Sequence, residues 1–171
     1  MQTKYIVVSP YDPKWVSDFA AIKREIEGAL DDLILRIEHV GSTSVKGLSA
    51  KPIIDIDVVM KDYSVFDEIV TRLAKIGYQY EGDLGIRHRE AFRYQDKLHL
   101  QKHHLYVCPQ FSEELHRHIT FRDYLRTHAE AVQEYSEIKE KAAELFPENI
   151  EKYIEYKSSY IEGIYAFCGL K

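Results

Sequence analysis

The feature that most constrains this chain is the run Ile53 to Met60, which is apolar except at Asp55 and Asp57. An apolar run of this length, opened by Pro52, reads as a strand covered on both faces, since proline at a strand's first residue costs no ladder bond. Side chains alternate along a strand, so Asp55 and Asp57 share one face and Ile56 takes the other. Two carboxylates side by side in apolar surroundings repel each other, and burial raises the cost. A divalent cation removes that conflict, and Mg²⁺ (or Mn²⁺) prefers oxygen ligands, commonly one or two carboxylates plus substrate phosphates. The alternative is two aspartates at a strand end, solvated or paired with Lys51 or an arginine. An Asp-x-Asp pattern is too short to choose between them.

Before that strand the chain runs Gly41, Ser42, Thr43, Ser44, with Gly47, Ser49 and Lys51 following. Glycine lets a backbone approach a ligand closely, and exposed N–H groups beside serine hydroxyls suit phosphate oxygens. The competing reading is a polar turn that caps the next helix. The Gly-Lys-Ser/Thr order of a Walker A loop is absent, and so is any Gly-x-Gly-x-x-Gly.

The periodicity predicts a helix over about 13–30, with Asp12 as its cap and Trp15, Phe19, Ile22, Ile26 and Leu30 on one face. Strands are expected at Leu33 to Val40, Ile53 to Met60, Tyr78 to Leu84, Arg89 to Gln95 and His104 to Cys108. A helix is expected at Val65 to Ile76, with Gly77 as its stop. From Phe111 onward the spacing is helical, in three segments, with Pro147 dividing the last two. This outline is a single α/β domain over 1–171, bordering on α+β. A sheet-containing core of about 1–110 is followed by a helical segment of about 111–171.

Together, a strand, Gly-Ser, a short connection and a strand with Asp-x-Asp form the layout of the nucleotidyltransferase fold. The string from His39 through Gly41, Ser42, Lys51 and Asp55-Ile56-Asp57 to Val59 resembles the GrpB-like family of uncharacterised proteins in that superfamily. Tyr11, Pro13, Trp15, Gly77-Tyr78, His104, the stretch Phe121 to Arg126 and Lys157 extend the resemblance over nearly the whole chain. The chain departs from the family at Lys46, often proline there, and at Tyr106, often a second histidine. The resemblance implies a mixed sheet with flanking helices. It puts Gly41 and Ser42 at nucleotide positions, and Asp55 and Asp57 at metal positions. Nucleotidyltransferases usually add a third carboxylate from a later strand. That place falls nearest His104, with Glu90 and Asp96 as the nearby acids and Glu90 as the candidate third ligand.

The expected function is therefore metal-dependent transfer of a nucleotidyl group from an NTP to an acceptor. Asp55 and Asp57 would be catalytic; Ser44, Lys51, Arg89, His104 and Lys157 would join Gly41 and Ser42 around the phosphates. The alternative is a non-catalytic module that binds a nucleotide or another phosphorylated metabolite. A phosphate-ester hydrolase using the histidines is weaker, because no nucleophile stands out.

Charge supports a small anionic ligand over nucleic acid. The chain carries 23 Lys and Arg against 28 Asp and Glu, net −5, whereas non-specific nucleic-acid binders are usually basic. Segment 85–106 is a local basic island, with Arg87, Arg89, Arg93, Lys97 and Lys102 against Glu90 and Asp96, and it holds four of the eight histidines. His99 and His103 have a helical zinc spacing, but the segment reads as loop and strand and offers no third ligand. Glu130, Glu134, Glu137, Lys139, Glu140 and Lys141 read as a solvated helix face. Two distant cysteines, no signal-peptide pattern and no long apolar run point to a reduced, cytoplasmic protein without a membrane segment.

Overall fold

The computed structural model describes residues 5–170. Its centre is a five-stranded sheet in the order β1-β2-β5-β4-β3. The strands are β1 (Arg36–Val40), β2 (Ile54–Met60), β3 (Gln79–Tyr80), β4 (Glu90–Arg93) and β5 (His103–Pro109). The β2–β5 pair is parallel and the other pairs are antiparallel, so this is a mixed α/β sheet. The helices are α1 (Lys14–Leu30), α2 (Phe66–Lys75), α3 (Glu113–Arg126), α4 (Ala129–Leu145) and α5 (Ile150–Phe167).

Strand β2 is central and buried, as its composition predicts. Ile54, Ile56, Val58 and Met60 pack into the main core with Leu105 and Val107 of β5, beneath Ile22, Ile26 and Leu30 of α1 and Ile69 and Leu73 of α2. The α1 face is the one that the three- and four-residue spacing predicts. The Asp12 carboxylate accepts the Lys14 amide and so satisfies a free N–H at the helix start. On the opposite face Val59 and Cys108 pack under Leu115 of α3. The last three helices close a second core with the 42–50 connection, through Val45, Leu48, Leu125, Val132, Tyr135 and Ile164.

Several boundaries move from their expected places. The strand expected from Leu33 begins at Arg36, because Asp31–Leu33 forms a 3₁₀ turn after α1. The strand expected over Tyr78 to Leu84 shrinks to Gln79–Tyr80: Tyr78 is spent as a core side chain, and Gly82, Leu84 and Gly85 take positive φ and turn the chain away. The expected Arg89 to Gln95 strand is Glu90–Arg93, and β5 extends by one residue at each end. No helix of the described residues is long and apolar enough to cross a membrane.

Candidate functional site

The two aspartates leave β2 on the face covered by the C-terminal helices, and they meet different surroundings. Asp55 is paired with His104 on β5 and Val40 on β1. Its side chain is 32 % exposed, and its Oδ1 lies 3.0 Å from His104 Nδ1. Gly41 at the exit of β1 has φ of +74°, and a Cβ there would overlap the Asp55 carboxylate. Glycine is thus required twice over, by conformation and by the close approach of backbone to carboxylate. Asp57 is fully buried under α3. Its Oδ2 lies 2.5 Å from His118 Nδ1, and its Oδ1 has no hydrogen-bond partner.

Beside Asp55 a cavity of about 140 Å³ is lined by Ser42, Thr43, Lys51, Asp55, His104, Lys139 and Lys157, with Ala50 and Ile53. Its three lysines come from the loop before β2, from α4 and from α5. Lys139 donates to Ser42 Oγ at 2.5 Å. Each ammonium lies against a tyrosine ring: Lys139 is 5.0 Å from the centroid of Tyr135, and Lys51 and Lys157 are 5.5 and 4.9 Å from that of Tyr153. Aromatic faces attract the cations without neutralising them, which leaves their charge available to an anion. Burial pushes Lys139 well below the usual lysine range, and the nearby Lys157 pushes further while Asp55 opposes. Burial, helped by Lys51 and opposed by Asp55, lowers Lys157 to about 8. Lys51 is also lowered, first by burial and then by Lys102, against the pull of Asp55. Converging cations disfavour one another's charge, and an anion among them would relieve that repulsion.

Of the residues singled out in the sequence, Ser42, Lys51, Asp55, His104 and Lys157 meet at this cavity, with Gly41 behind the Asp55 carboxylate. The others lie elsewhere. Ser44 is buried and turns its hydroxyl back to the Gly41 carbonyl. Arg89 stacks on Tyr106, 4.3 Å from the ring centroid, one strand beyond Asp57. Glu90 cannot join the aspartates, because it faces the opposite side of the sheet: it pairs with Val107 of the main core and accepts hydrogen bonds from Tyr63 and Tyr80. Strand alternation makes that displacement fixed, since a one-residue shift would be needed to bring it across. Among the described residues no set of three or more His, Cys, Asp or Glu side chains is arranged to hold a metal.

One expectation is corrected here. Lys139 is not on a solvated face: it is 2 % exposed and points into the cavity. The sequence carries a signal for this, because Lys139 lies four residues after Tyr135 and three before Ala142, on the buried stripe of α4. Part of the basic island of 85–106 is taken up within the fold, while Arg87, Arg93 and Lys102 stay exposed. Lys97 and His99 share Glu25 of α1 at 2.6 and 2.8 Å. His103 meets the Tyr78 hydroxyl at 2.6 Å. Sequence reasoning misses His118 and Glu114 of α3 altogether. His118 Nε2 lies 3.1 Å from Glu114 Oε1. Burial by itself would lower the His118 pKa, but its bonds to Asp57 and Glu114 outweigh that and push it up to about 10.

The chain is similar to known proteins in sequence and in fold. The family model described as "GrpB protein" matches residues 5–166. The UPF0157 protein YqkA of Bacillus subtilis is 32 % identical over 152 residues, covering 89 % of this chain, which spans 44 % of that relative's length. The crystal structure of the conserved protein GrpB from Enterococcus faecalis superposes with a TM-score of 0.83 at 32 % identity, covering 95 % of this chain and 96 % of that one. Cid1, solved with its short product ApU, superposes with a TM-score of 0.55 at 13 % identity, over 77 % of this chain and 42 % of that one. The sheet and its flanking helices are nucleotidyltransferase-like in fold.

Proposed function

The chain belongs to the GrpB family, and on that premise we propose that it is a metal-dependent nucleotidyltransferase, moving a nucleotidyl group from an NTP to an acceptor. The observation that carries the reading is the cavity in which Ser42 and three lysines converge beside the first aspartate of the Asp-x-Asp strand. A triphosphate has the charge and the oxygens that such a cavity lacks. Cid1 has also been solved in complex with a UTP analogue, which supports an NTP as the donor for this fold.

The donor set fits a hard cation. Asp55 and Asp57 supply carboxylate oxygens on one face, and Asp57 Oδ1 is a buried oxygen without a partner, which is an expensive state for a carboxylate. Asp55 and Asp57 would hold Mg²⁺ or Mn²⁺. When bound, such an ion neutralises phosphate charge and polarises the reacting phosphoryl group. The chain's own residues do the rest. Ser42, Lys51, Lys139 and Lys157 hold the β- and γ-phosphates. As an acceptor oxygen bonds to the α-phosphorus and the bond to the β-phosphate oxygen breaks, those lysines stabilise the charge that grows on pyrophosphate. His104 fixes the Asp55 carboxylate through Oδ1. Gly41 keeps the backbone out of that carboxylate's way.

A second reading has two observations in its favour. His118 already engages Asp57, and Glu90 lies across the sheet, so a nucleotide-binding module without catalysis would also use this cavity. Calorimetric titration with each NTP and Mg²⁺ or Mn²⁺, beside an Asp55→Asn/Asp57→Asn variant, tests the donor site. Metal-dependent NTP binding that the variant loses is the expected result. Absence of binding with both proteins folded would sink the NTP reading. Pyrophosphate release in the presence of acceptors separates transfer from binding alone.

A further inference from the structure

The face that carries the two aspartates opens, on the side of β4, into a cleft of about 590 Å³. His104 and Tyr106 of β5, Arg93 of β4, Leu84, and Leu98 and Lys102 of the 94–102 segment line it. His104 also lines the lysine cavity, so the two spaces share a wall. Ser42 and Lys51 set the cavity on the side of the 42–50 connection, and the cleft lies on the other side of that wall. The register that pairs Ala91 with Tyr106 and Phe92 with Leu105 sets Arg93 opposite His104, which pairs with Asp55. Arg93 therefore stands two strands from Asp55, on the order of 10 Å away. Arg93 and Lys102 are exposed, and among the described residues neither is in an ion pair; Arg93 has a 3.4 Å contact with the neutral Gln79 amide. Lys97, which also reaches the cleft, is already paired with Glu25. Glu81, across from Ala91, is the one carboxylate in the lining. Leu98 is 97 % exposed and Leu84 59 %. A single exposed leucine is ordinary, but two on one concave surface beside unpaired cations suit an amphipathic anion.

We propose that this cleft is the acceptor subsite, and that the acceptor is a small molecule with a hydroxyl at one end, an apolar body, and an anionic group, carboxylate or phosphate, at the other. This deepens the nucleotidyltransferase reading and rests on it. Phosphoryl transfer runs in line, with the attacking and leaving oxygens on opposite sides of the phosphorus. Pyrophosphate leaves on the side of Ser42 and the three lysines, so the hydroxyl attacks from the side of the cleft. Its oxygen bonds to the α-phosphorus, and the bond from that phosphorus to the bridging oxygen breaks. The electron pair of the broken bond goes to pyrophosphate, and the hydroxyl proton passes to water. Arg93 and Lys102 hold the anionic end away from the reacting hydroxyl, and Leu84 and Leu98 cover the body. Apolar burial supplies affinity, and the charge-assisted contacts fix orientation.

Chemical-shift mapping by nuclear magnetic resonance on the isotope-labelled full chain tests this with unreactive probes. Inorganic pyrophosphate at saturation fills the lysine cavity; phenyl phosphate, benzoate and the uncharged benzamide then probe the cleft. Phenyl phosphate or benzoate is expected to shift the methyl groups of Leu84 and Leu98 with pyrophosphate still bound, about tenfold more tightly than benzamide does. The tighter of the two anions identifies the acceptor's anionic group. Arg93→Gln/Lys102→Gln is expected to lose that preference and to keep its affinity for pyrophosphate. Anions that leave Leu84 and Leu98 unshifted, that pyrophosphate displaces, or that bind no better than benzamide overturn the proposal. Displacement of the bound anion by ATP with Mg²⁺ also overturns it, since the cleft then holds the donor's nucleoside. A chain that ignores pyrophosphate and still binds the anions at Leu84 and Leu98 overturns the donor reading and the acceptor role with it, while the anion site stands.

Discussion

The two faces of the sheet are built on different principles. Under α1 and α2 the contacts are apolar and close-packed, with Ile54, Ile56, Val58, Leu105 and Val107 at 1 % exposure or less. Under α3, α4 and α5 the same strands present Asp55, Asp57, His104 and Tyr106, met by His118, Lys139 and Lys157. The first face stabilises the fold; the second carries buried charge that weakens it and that, under the proposed function, serves a ligand. A site held at the expense of stability is what a functional surface looks like when the other face supplies the folding energy.

That contrast is open to direct tests. The largest effect is expected at Ile56, which is fully buried between the two aspartates but on the opposite face. Ile56→Ala should cost about 2–5 kcal/mol of stability in denaturant unfolding, while the fraction still folded keeps its triphosphate affinity. A loss of affinity larger than the loss of folded protein would break the division between the faces.

Next is Lys139→Met, which should do the reverse. Removing a charge-assisted contact should weaken triphosphate binding by about 10- to 150-fold, the equivalent of about 1.5–3 kcal/mol. Thermal stability should stay level or rise, because the variant no longer buries an ammonium that burial disfavours. A fall in melting temperature with unchanged affinity, measured by calorimetry on the same samples, would assign Lys139 to the fold and not to the ligand.

The smallest effect is in pH. Burial, with Lys51 adding to it, holds Lys157 near 8 in the free protein, against about 10.4 for an ordinary lysine. Below about 8 it is charged and serves the anion, so triphosphate affinity should fall as pH rises from about 7 to about 9.5, by about tenfold. The stability contribution has the opposite sign. The folded pKa lies below the unfolded one, so the unfolded chain holds that proton more tightly. This group's destabilisation is full below about 8 and is relieved as pH rises toward about 10.4. Lys51, Lys139 and Asp55 face the same cavity, and Lys157→Met should flatten the step in affinity. A step that survives in Lys157→Met would move it to Lys51 or Lys139.

The sequence by itself determined the central strand, the common face of Asp55 and Asp57, the Gly41-Ser42 turn and the apolar stripe of α1. Each is a local consequence of a two- or three-to-four-residue period, and such periods are written in neighbouring residues. The tertiary structure alone decided which aspartate is buried, because α3 covers Asp57 and stops short of Asp55. It decided that Glu90 faces away, since the register of β4 against β5 is set by pairing between strands, which no local period of residues records. It also brought Lys139 to Ser42, 97 positions apart in the chain, and His118 to Asp57, 61 positions apart. A charge on a helix reads as solvated until a partner at long range desolvates it. That partner is chosen by packing, which no local pattern of residues contains.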